Sequence, residues 1–238
     1  IGCLYCGAQD LMEEKGEPWD VSRSLTPIKN LYLGSKNSPH DEERALCDLL
    51  DCEIKEGHSP QLIAELLAEG KIIARCAGRM EFGQRALGNR SILADPSRLE
   101  IKDRINAAIK NRDFWMPFAP LILDTYVEQY LINPKSLPSP YMTLGFDTTE
   151  EGFKAMIAAC HPADKSARPQ ILYPQANALL YDILKSFEAL TQRGALLNTS
   201  FNLHGYPIVN SAKEAVHVFQ NSDLDVLVLN NYLITKKG

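Results

Sequence analysis

The apolar residues of this chain switch period again and again, from strand-like runs to the three-and-four spacing of helices. That alternation limits the possible folds more than any other feature. Pro60–Glu69 is expected to be helical, with Ser59 at the N-cap, Pro60 in the first position and Gly70 just past the end. Its apolar stripe is Leu62, Ile63, Leu66 and Leu67. Lys71–Ala77 reads as a buried strand and Ser91–Ala94 as a second, short one; Arg98–Lys110 reads as a helix with Ile101, Ile105, Ala108 and Ile109 on one face. Pro117–Leu123, with two prolines, reads as an edge strand. Helices are also expected over Asp41–Leu50 and Asp124–Ile132, and a strand over Met142–Phe146. The helix Gln175–Gln192 is expected to send Leu179, Leu180, Ile183, Leu184, Phe187 and Leu190 inward, and Ala195–Leu197 is a strand. Ser211 and Glu214 form a capping box for Ala212–Gln220, and Leu224–Asn230 and Tyr232–Thr235 close the chain as strands. Strands interleaved with helices imply a layered α/β domain.

Residues 78–91 connect the first two of those strands. Gly78, Gly83 and Gly88 recur every five residues, with Arg79, Arg85 and Arg90 between them. Glycine lets a backbone take positive φ or approach a ligand, and arginine grips phosphate or carboxylate oxygens with two N–H groups at once. The combination reads as an anion cradle, although it has neither the dinucleotide-binding nor the P-loop glycine spacing.

Charge is distributed to match. The net charge is −5, yet ten of the 25 Lys and Arg residues fall within 71–118, against five of the 30 Asp and Glu. One compact basic segment in an acidic chain suits a small anionic ligand better than a nucleic acid, which asks for a broad basic face. No apolar run approaches a membrane span, and the acidic residues Glu13, Glu14, Glu17 and Asp20 do not fit a signal peptide. The six cysteines, including the Cys3/Cys6 pair, read as reduced thiols of a cytoplasmic protein rather than as zinc ligands, so no metal ligands are assigned. The first residue is Ile1, which fits part of a longer protein.

Four polar loops, 78–91, 110–116, 164–170 and 198–205, are the places where chemistry can sit. Brought together at the ends of α/β strands, Arg85, Arg90, Lys110 and Arg168 make a cationic site ringed by Asn198, Thr199 and Ser200. Such a site fits a polyanion such as a nucleotide triphosphate, where positioning and charge stabilisation do most of the catalysis. The alternative for Asn198-Thr199-Ser200 is plain turn chemistry. No Ser/His/Asp or Cys/His arrangement is legible from spacing, and His217 reads as a packed or capping side chain.

Four motifs in sequence order then narrow the reading. Gly78–Asp95 (GRMEFGQRALGNRSILAD), Ile105–Pro120, Asp164–Gln170 (DKSARPQ) and Asn198–Val209 (NTSFNLHGYPIV) resemble those of the NodU/CmcH-type O-carbamoyltransferases. The similarity runs from about Leu31 to Lys237. It implies a YrdC-like fold, a twisted mixed sheet packed with helices, over residues 37–238; residues 1–36 would be the tail and linker of a preceding Kae1-like domain acting in cis. It further implies small-molecule substrates: carbamoyl phosphate and ATP with Mg2+, joined as a carbamoyl adenylate. The preceding domain would then pass the carbamoyl group to an acceptor hydroxyl.

By the same resemblance Arg85 and Arg90 bind carbamoyl or phosphate oxygens, and Lys110 neutralises charge during adenylate formation. Arg168, Asn198, Thr199 and Ser200 hold the adenylate, and Met142 lines the adenine pocket. The chain departs from the family pattern at Gln84 (proline), Met116 (arginine), Lys165 (glycine), Ser166 (threonine) and Tyr206 (glutamate). Met116 removes a cation that Arg112 or Lys165 would have to replace. That loss favours the alternative reading, a catalytically weak nucleotide- or RNA-binding module on the same fold.

Overall fold

The computed structural model describes residues 10–16, 30–110 and 116–237. Ile1–Asn30 is one compact unit and Leu31–Gly238 another. In the first, residues 10–14 are helical. The Cys3/Cys6 pair and Arg112 lie outside the described residues. Residues 31–36, expected as linker, are built into the second unit: Gly34 donates to the Met80 carbonyl at 2.9 Å, and Met80 to the Ser35 carbonyl at 2.8 Å.

The second unit begins with α1 (Pro39–Leu46), β1 (Cys52–Glu56), α2 (Pro60–Ala68), β2 (Ile73–Cys76) and β3 (Arg90–Ala94). Helix α3 (Leu99–Ile105) continues into a π-helical turn, Asn106–Lys110, before β4 (Ala119–Leu123). Then come α4 (Val127–Tyr130), β5 (Leu131–Ile132), β6 (Phe146–Thr148), α5 (Glu150–Ala155), β7 (Ser166–Ala167) and β8 (Gln170–Leu172). The chain ends with α6 (Ala178–Thr191), β9 (Ala195–Ser200), α7 (Ala212–Gln220), β10 (Val226–Leu229) and β11 (Tyr232–Lys236).

Eight strands form one mixed sheet in the order β1-β11-β10-β2-β3-β9-β4-β8, and β5-β6-β7 form a small second sheet. The pairs β10/β2 and β4/β8 are parallel and the other pairs of the large sheet antiparallel. On one face Ala74, Cys76, Ile92 and Leu197 pack with Ile101 and Ile105 of α3 and Val216 and Phe219 of α7. On the other, Ile73, Leu93, Leu196 and Val228 pack with Ile63 and Leu67 of α2 and with Leu180, Ile183, Leu184 and Phe187 of α6. Each fully buried side chain of this size contributes about 1.5–3 kcal/mol. With both faces covered, the chemistry is left to the sheet's ends.

Local signals set most of these elements. Ser38 and Ser211 close capping boxes with Asp41 and Glu214, and Ser59 and Asn177 accept backbone N–H groups at the starts of α2 and α6. Several expectations give way to tertiary pairing. Helix α1 starts at Pro39 and stops at Leu46, leaving Leu50 exposed. Strand β4 is interior, between β9 and β8. Pro120 is tolerated because β8 pairs only from Leu121 onward, which frees the side of the strand where a proline lacks its donor.

The segment 124–132 is not one helix, because Leu131 and Ile132 turn extended to pair with Thr148 and Asp147. Met142 sits in a bend with φ of 55°, and the strand expected from it starts only at Phe146. Leu179 and Leu190, expected inward, are exposed; α6 buries the narrower stripe Leu180, Ile183, Leu184 and Phe187. Strand β9 runs through Ser200, so Asn198-Thr199-Ser200 is extended strand rather than a turn.

Candidate active site

Strand directions bring the loops after β2, β9 and β10 and those before β3, β4 and β8 to one end of the sheet. The longest of them, between β2 and β3, is organised by Glu81. This buried carboxylate takes the N–H groups of Leu87 at 2.6 Å, Asn89 at 2.8 Å and Arg90 at 3.4 Å on Oε1. Gly88 is there for space and conformation: its φ is 116°, and a Cβ would lie 2.2 Å from Leu180 Cδ2.

Arg85, Ala86, Pro117, Phe118, Met142, Arg168 and the β9 residues Asn198, Thr199 and Ser200 surround a cleft of about 50 Å3. Arg168 donates through Nη1 to the Met142 carbonyl at 3.3 Å. Asn198, 1% exposed, donates through Nδ2 to Gln170 Oε1 at 2.9 Å and to the Ala86 carbonyl at 3.3 Å. Gln170 Nε2 in turn donates to the Leu87 carbonyl at 3.0 Å. These bonds fix both amides, because a flip of either would set like groups against each other. What remains is Asn198 Oδ1, buried and without a partner among the described residues. A buried acceptor left unmatched costs about 1–3 kcal/mol, so this one asks for a donor from a ligand.

Lys110 stands at the end of the π-helical turn, 2% exposed, and reaches Ser200 and Asn202. Its Nζ lies 2.5 Å from the Ser200 carbonyl, 3.2 Å from Ser200 Oγ and 2.6 Å from Asn202 Oδ1. Ser200 Oγ donates to the same Asn202 Oδ1 at 2.6 Å. His204 Nδ1 lies 2.5 Å from the Lys110 carbonyl, which makes it the protonated ring nitrogen and pins the turn. The ammonium therefore contacts the Ser200 side of the cleft.

The sequence-derived site separates into three groups. Arg85, Met142, Arg168, Asn198, Thr199 and Ser200 line the cleft together, and Lys110 backs it through Ser200. Arg90 departs from its expected role as a ligand-binding cation. It is 0% exposed, and its fork donates to the carbonyls of Ala77, Gly78, Asn89 and Asn210 at 3.0–3.4 Å, stapling the loop to the segment before α7.

The departures from the family pattern are also scattered. Lys165, with φ of 61°, lies over the Phe153 ring at 5.2 Å instead of serving the cleft. Tyr206 is exposed on another groove, and Met116 precedes the cleft residues Pro117 and Phe118. The residues that sequence reasoning left without a role are Glu81, Gln170 and Asn202. Their only signal was a polar side chain inside a matched motif. Among the described residues no group of three or more His, Cys, Asp or Glu is placed to hold a metal ion, and no helix is long and apolar enough to cross a membrane.

The family description "Carbamoyltransferase C-terminus" matches residues 64–236, which contain every one of these cleft residues. The chain belongs to that carbamoyltransferase family. Nodulation protein NolO of Bradyrhizobium diazoefficiens is 35% identical to this carbamoyltransferase domain over 237 residues, 99% of the chain and 43% of NolO. The chain spans 31% to 43% of the lengths of four of the curated relatives it matches.

Among solved structures, full-length HypF in its phosphate- and nucleotide-bound form superposes with a TM-score of 0.56 at 17% identity, over 76% of this chain and 22% of HypF. Escherichia coli YciO superposes with a TM-score of 0.52 at 15% identity, over 74% of this chain and 81% of YciO. These neighbours establish the YrdC-like α/β fold of the carbamoyltransferase domain.

Proposed function

We propose that the cleft is where carbamoyl phosphate and ATP are converted to a carbamoyl adenylate, as one half of a carbamoyltransferase reaction. The observation that carries this reading is the orphan Asn198 Oδ1 in a cleft also lined by two guanidinium side chains, Arg85 and Arg168. A carbamoyl group offers what that combination lacks. Its NH2 donates to Asn198 Oδ1, and its oxygens accept from arginine. About 50 Å3 holds the reacting end only, so the nucleotide extends from the cleft past Thr199 and Met142. Lys110 offsets negative charge on the Ser200 side, and Mg2+ arrives with the ATP phosphates.

The atoms balance when water releases the phosphate of carbamoyl phosphate and the resulting carbamate oxygen displaces pyrophosphate from the α-phosphorus. One phosphate and one pyrophosphate leave per adenylate. Transfer to an acceptor hydroxyl then falls to a Kae1-like domain in the same protein. A cytoplasmic setting supplies ATP.

Incubating the chain with ATP, Mg2+ and carbamoyl phosphate, and measuring pyrophosphate, tests the reading. Release is expected to require carbamoyl phosphate and to fall at least 100-fold in Arg85→Ala and in Asn198→Ala, a loss of about 2.7 kcal/mol of transition-state stabilisation. Release that persists in both variants overturns it.

A further inference from the structure

A larger cavity, of about 420 Å3, lies on the other side of residues 87–89, between the starts of α2 and α6. That volume is in the range of small-molecule sites. Strand pairing places Arg75 and Asn198 on the same face of the sheet, through Ser91 and Leu93, so the two cavities flank one loop.

Arg75 is the unusual residue here. It is 4% exposed and lines the cavity, but among the described residues no carboxylate lies within ion-pairing distance. Its Nη1 donates to the Gly88 carbonyl at 2.7 Å and to Asn89 Oδ1 at 2.8 Å, while Nε and Nη2 have no partner among the described residues. A second lining residue, His58, also carries an unmatched polar atom. His58 Nε2 meets the Asn230 carbonyl at 2.8 Å, which leaves Nδ1 as a buried acceptor with no partner among the described residues. Lys36 adds a cation, and Ile63, Ile183 and Val228 supply an apolar wall. A buried guanidinium with open donors beside an apolar wall suits a ligand that is itself anionic at one end and apolar at the other.

We propose that this cavity is a second ligand site for a small organic anion. Its carboxylate or phosphate meets Arg75 and Lys36, its apolar body packs on Ile63, Ile183 and Val228, and a hydroxyl or amine donates to His58 Nδ1. Because Arg75 also holds Gly88 and Asn89, the occupant touches the residue that supports the loop of the first cleft. The site does not depend on the chemistry proposed for that cleft.

Methyl NMR on Ile63, Ile183 and Val228 tests it, with acetate, phenyl phosphate and 4-hydroxyphenylacetate as probes at equal concentration. At least one aromatic anion should shift all three methyls saturably while acetate does not, and the tighter of the two identifies phosphate or carboxylate as the preferred group. Leu179→Glu puts a negative charge at the cavity lining on a residue that is 63% exposed, and should weaken binding at least tenfold without unfolding the domain. Arg85→Ala, in the other cleft, should leave it unchanged. The proposal is overturned if neither aromatic anion shifts the three methyls, if acetate matches them, or if binding survives Leu179→Glu. Loss of binding in Arg85→Ala overturns it too, by assigning the anion to the first cleft.

Discussion

Gln170 sets the orientation of Asn198. Its Oε1 accepts the Asn198 Nδ2 at 2.9 Å while its own Nε2 is held by the Leu87 carbonyl at 3.0 Å, so the acceptor of Asn198 is the atom left over. Gln170→Leu should release Asn198 to turn. The expected result is a rise in the KM for carbamoyl phosphate of about tenfold, roughly one neutral hydrogen bond, with folding stability lowered by less than about 2 kcal/mol. Pyrophosphate-release kinetics and urea unfolding check the two parts, and an unchanged KM would remove Gln170 from the site.

Gly88→Ala should destabilise the domain by roughly 2 kcal/mol or more, since the new methyl meets Leu180 Cδ2 at 2.2 Å and φ is 116°. In Leu180→Ala the clash is gone, so the same glycine substitution should then cost only the φ strain. A double-mutant cycle in urea measures the difference. Simple additivity would contradict the packing.

Lys165 occupies the left-handed region at φ of 61° without being glycine. Lys165→Gly should raise stability by up to about 1 kcal/mol, less the loss of the contact with Phe153. Thermal unfolding reads this directly; a lower Tm would mean that the ring contact outweighs the backbone strain.

Burial pushes the Cys76 thiol up from 9.0 to about 11. The folded state therefore keeps a proton that the unfolded chain gives up, so stability is constant below pH 9 and falls between pH 9 and about 11. The slope from this group alone is about 1.4 kcal/mol per pH unit. Cys76→Ala should flatten that stretch of the profile relative to wild type. The measurement is urea unfolding from pH 8 to 11, with equal slopes in the two proteins counting against a buried neutral thiol.

Glu81→Ala should lower stability by about 1–3 kcal/mol, because three backbone N–H groups lose a shared acceptor. Hydrogen exchange should quicken at Leu87, Asn89 and Arg90 and stay unchanged in α7. Uniform protection across 87–90 would show that the loop holds itself without Glu81.

The sequence alone determined whatever depends on neighbours in the chain. Ser59 before Pro60, the Ser211/Glu214 box and the stripe Ile63/Leu67 define helices because caps and helical faces are local matters of a few residues. The motifs around Arg85, Arg168 and Asn198 likewise named residues that the fold brings to one cleft, since cationic and amide side chains at short spacing within each loop are a local pattern. Only the tertiary structure decided what those side chains meet. Arg85 and Arg90 look alike in sequence, but one lines a cleft and the other is spent on four carbonyls. Pro120 reads as an edge residue until β8 is seen to begin one residue later. Arg75 passes as one letter in a buried strand until the fold leaves two of its three nitrogens open in a cavity. Hydrogen-bond satisfaction is a sum over partners that the chain brings from up to 188 residues away, and no local pattern encodes that sum.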